Sequence, residues 1–323
     1  MSFDRKLDWS VLGRTQGRFV VDILLLIVLL VANAYLKKWW GKGTQRGFHC
    51  DDESLMYPYH EDTITPSILH WTTSYFPFVA VLLLELRRCW SSGSRRSQLF
   101  WPIFNIMRWY LFGHVASNMI KDMGKKTIGR LRPHFFDVCR PKLQDGGLCT
   151  DEAHRLGGVY YTSYSCQPEL SGATPEMIKN LYVSFPSGHS SMAFYGLVFL
   201  AFYLQRSKLP QPSSLLRPVG QLLCIGYATF VGLSRVMDYK HHWSDVVAGS
   251  LLGALVALVV VSMAENQRRH LTSDQRYATS KSTAAAAAAA DADANVESAD
   301  TASSTEKEQL PHDLCVVTCH STN

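Results

Sequence analysis

The stretch VVAGSLLGALVALVVVSMA, Val246 to Ala264, decides the fold. It runs for 19 residues without a charge, close to the ~20 apolar residues a helix needs to cross a bilayer. The segment before it is its opposite. Ser234-Arg235-Val236-Met237-Asp238-Tyr239-Lys240-His241-His242-Trp243-Ser244-Asp245 is crowded with cations, imidazoles and acids. A membrane helix with functional groups at one mouth is the expectation for this region.

Working outward, further apolar runs occur at Pro218 to Leu233, Ser190 to Leu204, Trp101 to Ile120, Pro66 to Leu84 and Phe19 to Leu36. The spans at Trp101, Ser190 and Pro218 are polar enough to suit the interior of a bundle. Arg108, inside the Trp101 run, is costly unless its stem snorkels to the near interface. The fold expected is therefore an all-α membrane protein, six transmembrane helices in a bundle with active-site loops on the non-cytoplasmic face. Residues 1–270 form this domain, and 271–323, rich in Ser, Thr, Ala, Asp and Glu, are read as a disordered cytoplasmic tail. The basic start and Ala32-Asn33-Ala34 also fit a cleaved signal peptide. An uncleaved anchor is preferred, because cleavage would leave five spans.

Averages over the chain conceal this pattern. With 18% charged and 47% hydrophobic residues, the composition resembles that of a soluble protein. It excludes collagen and a fully disordered chain. A net charge of +5, with no basic run interleaved with aromatics, gives no reason to expect a nucleic-acid partner. Four Arg in the segment 87–96, and further basic residues after the spans at Ser190 and Val246, place both termini in the cytoplasm. Cys50, Cys139, Cys149 and Cys166 then all fall in the two loops assigned outside, an even number in the oxidising compartment. Three pairings are possible and spacing does not choose among them.

Three clusters share the outer face. The first is Lys125-Lys126-Thr127-Ile128-Gly129-Arg130-Leu131-Arg132-Pro133-His134, which by itself could simply anchor a helix end at the interface. The second, Ser184-Phe185-Pro186-Ser187-Gly188-His189-Ser190-Ser191, has the form of a helix start, whose free N–H groups and positive dipole end suit an anion. Plain capping by Ser187 is the bland alternative. In the third, His241 and Asp245 are four apart and would share one helix face, letting the carboxylate orient the imidazole. His242 would point elsewhere, roughly 100° around the helix. Taken together, Lys125, Arg132 and Arg235 could hold the three non-bridging oxygens of a phosphoryl group, with Ser187 and the Gly188 N–H adding hydrogen bonds. No acidic cluster accompanies the histidines, so neither a metal nor another cofactor is expected.

The spacings Lys125-x6-Arg132-Pro133, Pro186-Ser187-Gly188-His189 and Arg235-x5-His241-x3-Asp245 together resemble the type 2 phosphatidic acid phosphatase superfamily. Arg46 through Ser54, Tyr57-Pro58-Tyr59 and Gly129 through Phe135 are similar to the animal lipid phosphate phosphatases, and the chain is placed near the insect wunen-type members. The resemblance covers about residues 15–265. It implies a phosphatidate phosphatase working through a phosphohistidine: His241 as nucleophile, Asp245 orienting it, His189 as acid and then base. It also implies membrane lipid phosphates as substrates (phosphatidate, lysophosphatidate, sphingosine 1-phosphate, ceramide 1-phosphate), a plasma-membrane location with the site facing outside or a lumen, and self-association into a homo-oligomer. No Asn-x-Ser/Thr acceptor occurs in the chain, a departure from the many members that carry one in the third loop. Two other functions fit the same motifs: a non-catalytic lipid-phosphate binder or scaffold, and a phosphotransferase with a lipid acceptor.

Overall fold

The computed structural model describes residues 9–41, 43–91, 100–206 and 213–269, together with 280 and 283. Apart from those two positions, the tail expected at 271–323 lies outside the described residues. The chain divides into two compact units, Met1–Glu265 and Asn266–Asn323, and all three clusters belong to the first.

Long helices dominate that unit: α1 (Trp9–Trp39), a rod made of α2 (Pro66–His70), a π-helical turn (Trp71–Tyr75) and α3 (Phe76–Ser91), then α4 (Phe100–Ile128). Short helices α5 (Phe135–Cys139), α6 (Glu152–Leu156), α7 (Pro168–Ser171) and α8 (Pro175–Asn180) follow. The long helices α9 (Gly188–Arg206), α10 (Leu216–Met237) and, up to Glu265, α11 (Trp243–Arg269) complete it. The α2 start is encoded locally. Thr65 Oγ1 accepts from Ile68 N, and Pro66 occupies the first turn, where its missing N–H costs nothing.

Among the described residues, four helices are long and apolar enough to cross a membrane: Phe19–Leu36, Pro66–Arg88, Leu216–Met237 and Trp243–Arg269. The other two expected spans, in α4 and α9, are continuous helices of 29 and 19 residues with lower hydropathy. The reason for α9 is its position. From Ser190 to Tyr203 nearly every residue is buried, packed among α3, α4 and α10, so protein rather than lipid surrounds it. Its Met192, Tyr195 and Phe199 form the bundle core with Val81, Tyr110, Ala228 and Val260.

Arg108 departs from the snorkelling expectation. It pairs with Asp22 of α1 and donates to Asn105 Oδ1 at 2.7 Å. An ion pair between two helices offsets the cost of both charges without either side chain leaving the bundle.

A second core of Phe48, Phe135, Leu143, Leu181 and Tyr182 lies in a cap at one end of the bundle. Two small antiparallel ladders brace it, β1 (Phe48–His49) with β3 (Tyr160–Tyr161) and β2 (Lys142–Leu143) with β4 (Tyr164–Ser165). The cysteine pairing, open from sequence, is Cys50–Cys149 and Cys139–Cys166. The first bridge ties the loop after α1 to the long connection between α4 and α9.

Candidate active site

The three clusters meet at the cap end because backbone bonds stitch their segments together. Arg132 N donates to Leu181 O at 3.0 Å, Ser184 N to Arg130 O at 3.0 Å, and Ser187 N to Asp245 O at 2.9 Å. The helices behind them approach closely at two glycines of α11. A Cβ on Gly249 would lie 2.4 Å from Ser187 O, and one on Gly253 would lie 2.2 Å from Ser191 O. This Gly-x-x-x-Gly face lets the starts of α9 and α11 touch, which brings the second and third clusters together.

Asp245 is the hub. It is fully buried, and Arg130 Nη1 donates to its Oδ1 at 2.6 Å. Its Oδ2 accepts from Ser184 Oγ at 2.6 Å and from His242 N at 3.0 Å. His241 Nδ1 lies 3.8 Å from that oxygen and 3.4 Å from Ser184 Oγ. The expectation of a shared helix face is thus corrected. The helix begins at Trp243, so His241 sits in the preceding turn and reaches Asp245 across it. His242 does not point elsewhere either, because its Nδ1 is 3.2 Å from Asp245 Oδ2. The turn itself is tight. Lys240 N and His241 N both donate to Arg235 O, and Tyr239 adopts a positive φ of 52° with its ring stacked on Tyr57.

The cations line the same place. Arg235 is 1% exposed, with Nη1 donating to Asp62 Oδ1 at 2.9 Å and Nη2 paired with Asp238. Asp238 in turn accepts from Thr63 N and Thr63 Oγ1 at 2.9 and 2.6 Å. Lys125 Nζ donates to Val183 O at 2.8 Å. Burial, with Arg132 and Lys121 beside it, pushes the Lys125 ammonium down to about 7. Burial and Arg235 lower Arg132 to about 10, and burial and Arg235 take His189 down to about 3. His241 is held well below its ordinary value by burial, Arg132 and Lys125. Burial alone would raise Asp62, but Arg235 and Lys240 outweigh it and hold the carboxyl low.

Three buried nitrogens in this group have no hydrogen-bond partner among the described residues: Arg132 Nε, Arg235 Nε and His189 Nε2. Buried polar atoms are nearly always paired, so three orphans among mutually interacting cations mark a place for an oxyanion. The same crowd of cations would repel a metal ion, and among the described residues no group of three or more His, Cys, Asp or Glu side chains is placed to hold one.

Ser187 and Gly188 take different positions from the rest. Ser187 Oγ accepts from Ser190 N at 3.4 Å and pairs with Ser190 Oγ at 3.0 Å, so its hydroxyl caps α9. Gly188 lies against the lysine stems: a Cβ there would make ordinary contact with Lys125 Cε at 3.7 Å and Lys121 Cδ at 3.4 Å. Asp62, Asp238, Ser184 and Arg130 belong to the site without having been assigned to it from sequence. Three of these lie inside the quoted clusters, but Asp62 stands in a loop with no motif to announce it.

Similarity to known proteins agrees with this geometry. Residues 106–269, which contain all three clusters, match the PAP2 superfamily. Rat phospholipid phosphatase 1 (Rattus norvegicus) is 37% identical over 222 residues, 67% of this chain and 74% of that protein. The chain belongs to the PAP2 superfamily. Human phospholipid phosphatase 2 (Homo sapiens) is 34% identical over 253 residues, 76% of this chain and 83% of that protein. A Drosophila melanogaster protein named "Putative phosphatidate phosphatase" is 39% identical over 238 residues, 69% of this chain. The match spans 62% of that relative, less than two thirds of its length. No solved structure matches the chain. PAP2 membership makes this a multi-pass membrane protein of a phosphoric monoester hydrolase family.

Proposed function

We propose that the protein is a lipid phosphate phosphatase that hydrolyses phosphate monoesters of lipids through a phosphohistidine, without a metal. The observation that carries this is the set of orphaned nitrogens, Arg132 Nε, Arg235 Nε and His189 Nε2, beside a buried and neutral His241. Arg132, Arg235 and Lys125 take the phosphoryl oxygens as fixed cationic donors, and the Gly188 N–H at the start of α9 adds to them. Ser187 contributes by holding that helix start.

Asp245 and Ser184 face Nδ1 of His241, which leaves Nε2 to attack. The Nε2–phosphorus bond forms as the bond to the leaving alkoxide breaks, and His189 gives its proton to that alkoxide. Water then attacks phosphorus, His189 takes the water proton, and the phosphorus–nitrogen bond breaks to release phosphate. Growing charge on the phosphoryl oxygens meets cations already in place, so little reorganisation is needed.

The substrates supported are lipid phosphates such as phosphatidate, lysophosphatidate, sphingosine 1-phosphate and ceramide 1-phosphate. The physical argument is depth: a headgroup phosphate sits where helix ends leave the hydrocarbon, and the clusters are at such ends. The same reading takes Trp101 to Ile120 of α4 and Ser190 to Leu204 of α9 as the fifth and sixth spans, residues 1–270 as one domain, and the disulfide-braced cap as the side facing outside or a lumen, with both termini cytoplasmic in the plasma membrane. Two disulfides in the cap support that orientation.

The test is phosphate release from phosphatidate in mixed micelles with excess EDTA, wild type beside His241→Ala. Release by the wild type alone is expected. Release by the variant would overturn the histidine nucleophile. No release by either, with phosphatidate bound, would favour the binding or scaffold function.

A further inference from the structure

Arg130 stands in the first cluster, at one of the six unassigned positions between Lys125 and Arg132, and the mechanism above gives it no task. Its bonds are nevertheless placed at the junction of all three segments. Its carbonyl accepts from Ser184 N at 3.0 Å. Its Nη1 donates to Ser244 Oγ at 2.7 Å and to Asp245 Oδ1 at 2.6 Å. Asp245 is fully buried whereas the Arg130 side chain is 35% exposed. The guanidinium therefore keeps part of its hydration while offsetting a carboxylate that has none, and a buried carboxylate stripped of its cation is costly.

We propose that Arg130 is a positioning residue for the nucleophile: it anchors Asp245 by one oxygen and offsets its charge, so that the other oxygen directs His241 without forming a full ion pair with it. The inference rests on His241 being the attacking group. Geometry supports it. Asp245 Oδ2, already taken by Ser184 Oγ and His242, stays 3.8 Å from His241 Nδ1. The charged groups acting on His241 are Asp245 from α11, Arg132 from the loop after α4, and Lys125 from α4. The two cations disfavour an imidazolium, and Asp245 favours one. Removing Arg130 leaves the carboxylate uncompensated, so the balance tips toward a protonated His241 that cannot attack. Lysine at this position keeps the charge but not the guanidinium geometry that reaches Ser244 and Asp245 together.

The experiment is the pH profile of kcat/KM on phosphatidate in mixed micelles for wild type, Arg130→Gln and Arg130→Lys, with thermal melting of each to confirm folding. The acid limb of Arg130→Gln is expected to move up by about one pH unit, an about tenfold loss at a fixed acid pH, with kcat falling more than KM changes. Arg130→Lys should keep the wild-type limb at a reduced kcat. An Arg130→Gln limb that coincides with wild type, at any kcat, would overturn the proposal. If Arg130→Gln fails to fold, the lysine variant decides: a displaced limb there overturns it, and a wild-type limb with lowered kcat supports it. Inactivity of the wild type itself would instead overturn the underlying phosphatase reading, since all three proteins would then fail alike.

Discussion

Asp62 Oδ1 lies 2.9 Å from Arg235 Nη1 across 173 residues of sequence. The same oxygen is 3.7 Å from Lys240 Nζ. A carboxylate thus sits where a phosphoryl oxygen would satisfy the same guanidinium, while the buried Asp238 holds the other Nη from behind. On the proposed mechanism a substrate phosphoryl group would compete with Asp62 for Arg235.

Replacing Asp62 with Asn should therefore tighten inorganic phosphate as a competitive inhibitor, by about tenfold given the cost of placing like charges side by side. The inhibition constant measures it. Weaker phosphate binding in this variant would show that Asp62 holds Arg235 in place rather than competing for it.

His189 has the opposite need from His241. As the proposed acid it must carry a proton, yet burial and Arg235 hold it down to about 3. A bound dianion offsets Arg235 and Arg132, which raises the His189 pKa, and it raises Lys125 from about 7 in the same way. Groups whose pKa rises on binding take up protons, so binding of inorganic phosphate at pH 7.5 should add about one proton to the protein, counted after the fraction of a proton that phosphate itself gives up in binding as the dianion. Calorimetry in buffers of differing ionisation enthalpy reads this number, and zero uptake or net release would contradict it.

The depressed Lys125 has a second consequence. The ammonium is charged below about pH 7 and neutral above it in the free enzyme, so affinity for the phosphate dianion falls as pH rises through that value. Arginine does not titrate in this range. In Lys125→Arg the alkaline limb of kcat/KM should shift to higher pH even if the maximum falls, and an unmoved limb would exclude Lys125 as its source.

Removing His189, the proposed proton donor, should hurt most where the leaving group is poor. With His189→Ala, phosphatidate turnover should drop by about 10²–10⁴-fold, the usual worth of a general acid or base. An aryl phosphate such as p-nitrophenyl phosphate needs no protonation to leave. Its burst of nitrophenolate should survive, followed by slow hydrolysis of the phosphoenzyme. Equal losses on both substrates would remove His189 from the acid role.

The two cap disulfides close segments 99 and 27 residues apart in sequence. On the loop-entropy scale, crosslinks of these lengths limit the unfolded chain by about 4.7 and 3.5 kcal/mol. Cys50→Ser with Cys149→Ser should therefore lower the melting temperature more than Cys139→Ser with Cys166→Ser, as a thermal scan in detergent would show.

The sequence by itself determined four of the expected spans, because apolar length is a local property: Val246 to Ala264 is long enough whatever surrounds it. Lys125, Arg132, His189, Arg235, His241 and Asp245 stood out as candidates for a related reason, since each lies in a short cluster of unusual residue types. Sequence spacing could not say which groups meet. The partnerships Arg108–Asp22, Arg130–Asp245 and Arg235–Asp62 join residues 86, 115 and 173 positions apart, and charge pairing over such distances leaves no local period. Nor could spacing show that the turn at Tyr239 delays α11 to Trp243, which sets His241 3.8 Å from Asp245 with Ser184 beside it. Hydrophobic runs and motif residues are written along the chain, whereas the positions of Asp62, Ser184 and Arg130 follow from how the helix ends pack together.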